Sequence, residues 1–240
     1  MGEKALSLEL GQTIDEDVNA RVHLLAETVR RKLKRHIEEV VPTYRSLLVF
    51  FDPLHLSRSE LVERLKPLVA ALPSGDIAKT HGRIVRVPVC YGGELGPDLA
   101  FVAEHNHLTP DEVVAIHGSR AYRVYMLGFT PGFPYLGGMS ERIAAPRLDA
   151  PRPRIPAGSV GIAGTQTGIY PVESPGGWRL IGRTPLRLFD PRTTPPFLLA
   201  AGDKVRFVAV SGARWKEIER EVAAGTWVAE TEQSAEGGAS

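Results

Sequence analysis

Four arginines sit where the chain around them is stiff: Arg152 and Arg154 in PRPRIP, Arg179 and Arg183 in GGWRLIGRTP. A guanidinium fork on a rigid loop suits a planar carboxylate or a phosphate, and flanking prolines reduce the entropy lost in holding it. Surface ion pairing with Glu141, Asp149 or Glu173 accounts for the same residues equally well. Between them lie Ser159, Thr165, Gln166, Thr167 and Ser174, which can donate hydrogen bonds to a carbonyl, carboxylate or phosphate, or satisfy turn backbone. Phe133, Tyr135, Tyr170 and Trp178 can floor an apolar cleft, or simply be core. These residues describe a rigid, aromatic-lined, arginine-bearing cleft. A small acid, an amide or a proline-rich peptide would each fit it.

Other chemistries find less support. His105 and His107 in EHNHL stand beside Glu104, and on a strand both imidazoles would face one side, with His117 approaching in space. No third ligand lies at a telling distance, and we assign the chain no metal site. Ser159 in GSVG lacks the second glycine and the strand–turn–helix setting of a nucleophile elbow. No Walker-type loop for nucleotide is found in the sequence.

The elements that position this cleft follow from periodicity and punctuation. Leu127–Pro185 carries twenty glycines and prolines together with many apolar residues, so it reads as a shaped surface and not as disorder. Short apolar runs recur from just before it to beyond it: YRVYML, VGIAG, TGIYPV, WRLIG, LRLFD and KVRFVAV. Such spacing predicts a β-barrel or sandwich. Before it, Ala5–Leu10 alternates as a strand. Thr13 or Asp15 then caps a helix with the stripe Val18, Val22, Leu25, Val29 and Leu33, stopped by Pro42. The strand SLLVFF follows, then a helix opened by Ser57 or Ser59, with Ser57 and Glu60 at capping-box spacing. Arg83–Tyr91 is the next strand, and Pro110-Asp111-Glu112 heads a further short helix. We therefore expect an α+β protein: an α/β sandwich domain over 1–85, a β domain over 86–212, and a last helix with a frayed tail over 213–240.

Whole-chain quantities bound the function. In 240 residues, 29 basic and 28 acidic side chains leave a net charge of +1, which gives no strong attraction for nucleic acid or a membrane surface. The single cysteine, Cys90, forms no internal disulfide, and it sits in the alternating run VRVPVCY as a packed thiol. Neither a bilayer-spanning apolar stretch nor a signal-peptide pattern is present, so a soluble, cytoplasmic protein is expected.

The stretches LGFTPGFPYLGG and PRPRIPAGSVGIAGTQTGIYPVESPGGWRLIGRTP, with SLLVFFDP and VPVCYGGELGPDLAFVAEHN, closely resemble the family of 5-oxoprolinase B subunits. Its members have also been called allophanate hydrolase subunit 1, and the family includes the KipI-type inhibitors of sporulation histidine kinases. The resemblance runs from about Ser46 to about Val208. It implies a small amino-terminal α/β domain, a cyclophilin-like β-barrel, and a partner C subunit of the allophanate hydrolase subunit 2 type. That pair acts with an A subunit to open 5-oxoproline to glutamate using ATP. ATP, with Mg2+ accompanying it, is then bound by the complex.

Mapped onto the matching positions, Arg154 and Arg183 are expected to hold substrate carboxylate or phosphate and His105 to relay a proton. Ser159, Gln166, Ser174 and Thr184 supply hydrogen bonds, and Phe133, Tyr170 and Trp178 line the substrate cleft. The chain alone is expected to be inactive. A non-catalytic inhibitor of a sensor histidine kinase is the alternative, and prolyl isomerase activity follows only from fold analogy.

Overall fold

The computed structural model describes residues 4–73, 75 and 83–233, which fall into two compact units, one before and one after residues 76–82. The first holds β1 (Ala5–Glu9), α1 (Glu16–Lys32), β2 (Glu39–Pro42), β3 (Ser46–Phe50) and α2 (Arg58–Ala70). Its antiparallel sheet has the order β1-β3-β2, with Val49 opposite both Leu6 and Val40. Asp15, and not Thr13, caps α1 by accepting from the backbone of Asp17 and Val18. Ser57 and Glu60 form the full capping box on α2. The stripe Val22, Leu25 and Val29 is fully buried with Leu47, Val49 and Leu61, each side chain contributing roughly 1.5–3 kcal/mol.

Two readings of this unit need correction. The first helix does not run to Pro42. Its apolar stripe ends at Leu33, which is the C-cap, and EVVP then pairs with β3 as an edge strand, where a proline is tolerated. The strand Arg83–Tyr91, which straddles the expected domain boundary at residue 85, belongs wholly to the second unit's sheet. Alternation fixes which face of a strand is buried but not which strand it joins.

The second unit is built on β4 (Arg83–Tyr91), α3 (Leu99–His105), α4 (Pro110–Gly118), β5 (Ala121–Leu127), β6 (Pro134–Gly137), β7 (Arg152–Ile155), β8 (Ser159–Ala163), β9 (Gln166–Ile169), β10 (Ser174–Gly176), β11 (Arg179–Arg183), β12 (Lys204–Ala209), α5 (Gly212–Ala224) and β13 (Thr231–Gln233). The large sheet has the order β6-β5-β12-β4-β11-β8-β9, with β13 added beside β4. Among the described residues only β4 and β12 run parallel. The end strands β6 and β9 lie against each other, so the sheet curls into a nearly closed barrel. Val85, Val87, Tyr122, Val160, Ile162, Ile181 and Phe207 fill it. Strands β7 and β10 form a separate two-stranded ribbon at the barrel's side.

LRLFD is not a strand. Leu186 and Leu188 are buried, but the run makes only an isolated bridge from Phe189 to Phe197. The helix α5 packs on β4, so it is part of this unit. Of the polar tail, Thr231–Gln233 pairs with β4, and residues 234–240 lie outside the described residues. Among the described residues no helix is long and apolar enough to cross a membrane.

Candidate functional site

The β5–β6 connection delivers Phe129 and Phe133, β6 delivers Tyr135, β9 and its exit deliver Gln166 and Tyr170, β10 delivers Pro175 and Gly176, and the turn after it delivers Gly177 and Trp178. With Arg147 these residues enclose a cavity of 210 Å³. Phe133 is its hub. It meets Phe129, Tyr135, Tyr170 and Trp178 edge-to-face at centroid distances of 5.7, 5.3, 5.8 and 5.7 Å. Such pairs contribute roughly 0.5–1.5 kcal/mol each beyond area burial, so the walls are stiff.

Glycine lets the rings lie against the backbone. A Cβ on Gly168 would lie 3.0 Å from Trp178 Cζ3 and 3.1 Å from Phe133 Cζ, and one on Gly176 would strike the Tyr170 hydroxyl. At the rim, Phe129 is exposed and has φ of 65°, a left-handed backbone rarely adopted by a bulky residue. Burial raises the Tyr170 phenol above its usual pKa.

The four arginines singled out by spacing are all engaged elsewhere. Arg154 is exposed and grips Glu173 with both ends of its fork, at 2.9 and 3.0 Å. Arg152 pairs with Asp98 at 2.9 Å, and the second Asp98 oxygen accepts from the Leu180 backbone at 2.7 Å. Arg179 lies 3.6 Å above the Phe101 ring and donates to the Pro146 carbonyl. Arg183 donates to the Ala157 carbonyl at 2.8 Å.

Of the expected site residues, Phe133, Gln166, Tyr170 and Trp178 therefore line one cavity, while His105, Arg154, Arg183, Ser159, Ser174 and Thr184 do not. Ser159 and Thr184 are buried, and the Thr184 hydroxyl accepts from the Leu186 backbone at a turn. Ser174 pairs with Ile155 across the ribbon. His105 ends α3, exposed, with its ring stacked 5.8 Å from Phe101.

Two residues carry more than their sequence signal suggested. Arg147 lines the cavity, and a proline before it was the only hint. His117 is fully buried, its Nδ1 2.8 Å from the Tyr91 hydroxyl and its Nε2 2.8 Å from the Thr167 hydroxyl. The Thr167 hydroxyl itself donates to the Gly161 carbonyl, so its oxygen accepts from Nε2–H and Nδ1 accepts from Tyr91. Both ring nitrogens are thus committed to locking α4 onto β4 and β9. Burial lowers the imidazole pKa to about 3. Among the described residues no group of three or more His, Cys, Asp or Glu side chains is placed to hold a metal.

Residues 1–199 match the family model described as carboxyltransferase domain, subdomain C and D. The 5-oxoprolinase B subunit of Bacillus subtilis is 48% identical over 225 residues, covering 88% of this chain and 91% of that protein. A crystal structure of a conserved uncharacterized protein from Pyrococcus horikoshii is 49% identical, covers 90% of this chain and 98% of that one, and superposes with a TM-score of 0.55. The Kluyveromyces lactis urea amidolyase structure, at 22% identity, shares the fold with a TM-score of 0.77 over 96% of this chain, which spans 16% of its length.

Proposed function

The chain belongs to the family of 5-oxoprolinase B subunits, and on that premise we propose that it serves in an ATP-dependent complex opening 5-oxoproline to L-glutamate with A and C subunits. The observation that carries this reading is the near-full-length likeness to proteins bearing that name. The stiff aromatic cavity agrees with it, because its 210 Å³ suits a single small ring. The barrel is, on this reading, the cyclophilin-like one, and the protein works in the cytoplasm.

A five-membered lactam is a poor electrophile in water. ATP with its Mg2+ would supply a phosphoryl group to the lactam oxygen and so activate the ring carbon towards water; the ring C–N bond then breaks with the nitrogen leaving as the amine, and a second water releases the phosphate. This chain's part is to bind and orient. Phe133, Tyr170 and Trp178 flank the ring and exclude water, and Gln166 offers an amide to a polar edge. His105, Arg154 and Arg183 lie outside the cavity, so catalytic roles for them require a site completed by a partner subunit. ATP likewise belongs to the assembled complex.

Reconstitution tests this. This chain co-purified with its A and C subunits should form glutamate from 5-oxoproline only with ATP, and omission of this chain should abolish the reaction. An intact three-subunit complex that makes no glutamate would refute the reading.

A further inference from the structure

We propose that Arg147 is the residue that reads the carboxylate of a small cyclic amide acid, with the aromatic slot taking its ring. This rests on the reading of the chain as a 5-oxoprolinase component, and it names the substrate class that the cavity selects.

Charge is the first argument. Among the described residues Arg147 is the only charged one that lines the cavity, and it has no ion-pair partner there. Every other arginine suggested for anion binding is occupied: Arg152 by Asp98, Arg154 by Glu173, Arg179 by Phe101 and the Pro146 carbonyl, Arg183 by the Ala157 carbonyl. An anion entering the cavity therefore meets one uncommitted guanidinium at its wall. A fork of this kind binds a carboxylate through two parallel charge-assisted hydrogen bonds.

Size and shape are the second. The 210 Å³ holds the equivalent of about seven waters, each taking about 30 Å³ in the liquid, which is room for one small ring and its substituent. A nucleotide or a helical peptide segment would overflow it. Glycines at 168 and 176 let Phe133, Tyr170 and Trp178 lie directly against the backbone, so the cavity wall beside Arg147 is aromatic. Gln166 and the Tyr170 hydroxyl give the slot a polar edge besides Arg147, where a lactam's N–H and C=O can be read. A proline-rich peptide fits the aromatic walls equally well but leaves Arg147 without an anion.

The test compares 5-oxoproline with 2-pyrrolidinone, the same lactam without a carboxylate. Calorimetry on the full chain and on its complex with the C subunit should show 5-oxoproline bound roughly 10- to 100-fold more tightly, the range of a charge-assisted contact. Arg147→Gln should erase that preference and leave 2-pyrrolidinone unchanged. Arg147→Lys should restore part of it. Arg147 is exposed, so the variants should keep wild-type melting curves.

In the three-subunit enzyme, Arg147→Gln should raise KM for 5-oxoproline by the same factor with kcat little changed. No binding of 5-oxoproline by wild type, no preference over 2-pyrrolidinone, or a preference that survives Arg147→Gln would each overturn the proposal. If the wild-type complex turns over and Arg147→Gln has the same KM, Arg147 fails while the functional assignment stands. If wild type turns nothing over, the assignment itself has failed.

Discussion

The buried imidazole of His117 makes the barrel acid-sensitive in a way that can be worked out from its surroundings. It sits wholly inside the second unit, against Phe207 at 4.3 Å and Tyr122 at 5.5 Å, with both nitrogens in hydrogen bonds to hydroxyls. None of these partners is a carboxylate, so nothing among them compensates a proton on the ring. The folded pKa is about 3, against 6.5 for an unburied histidine, so between these values the unfolded chain holds one more proton. Stability from this site is complete above pH 6.5 and is lost as pH falls towards 3. At pH 5.0 the loss is roughly 2 kcal/mol, from 1.5 pH units at about 1.36 kcal/mol each. All three tryptophans, Trp178, Trp215 and Trp227, lie in this unit, so their fluorescence in urea follows the barrel alone. His117→Gln should lose roughly 1–3 kcal/mol at pH 7.5, because a buried hydroxyl loses its partner. Its further loss between pH 7.5 and 5.0 should be smaller than that of wild type by roughly 2 kcal/mol, since carboxylate titrations cancel in the comparison. Equal pH dependence in the two proteins would refute the account, as would an imidazole resonance of His117 that titrates near pH 6.5.

The two arginines of PRPRIP should behave oppositely. Asp98→Asn, which strips the charge partner from half-buried Arg152, should lower barrel stability by roughly 1–3 kcal/mol in urea melts. Arg154→Ala should change it by less than about 0.5 kcal/mol, because the pair with Glu173 is exposed on both sides. Gly168→Ala should push Trp178 and Phe133 apart, lower stability by roughly 1–3 kcal/mol, and weaken 5-oxoproline binding in calorimetry even where the fold survives. Ser57→Ala removes the α2 cap and should cost about 1 kcal/mol, seen as faster amide exchange in the first turn of that helix.

What could be read in advance was local. Caps and short-range periodicity announce α1, α2 and α4, since Asp15, Ser57 and Thr109 satisfy amides within three residues of themselves. The α3 helix escaped because seven residues after Gly-Pro-Asp give too few turns for a stripe, and β2 because EVVP is only four residues long. The destination of β4 was invisible for another reason. Its partners β11, β12 and β13 come about 90 to 150 residues later, and alternation carries no address.

The site divides along the same line. Glycine and proline density marked out the loops that hold the aromatic slot, because backbone constraint is written residue by residue. Which arginine is left to meet a ligand is settled by where the acids fall in space. Asp98, 54 positions before Arg152, neutralises it, and Glu173, 19 positions after Arg154, neutralises that one. A fork stiffened by two prolines is as well prepared for a carboxylate of its own chain as for one on a substrate, so rigidity ranks candidates without separating them. Arg147 is set apart by lining the cavity while having no ion-pair partner among the described residues; Arg179 and Arg183 also lack an acid, but they spend donors on carbonyls outside it. Placing an acid in the cavity should therefore mimic the ligand's charge: Gln166→Glu, on the wall of the same cavity, should abolish the carboxylate preference while sparing 2-pyrrolidinone. Retained preference in that variant would mean that the cavity's positive potential comes from elsewhere.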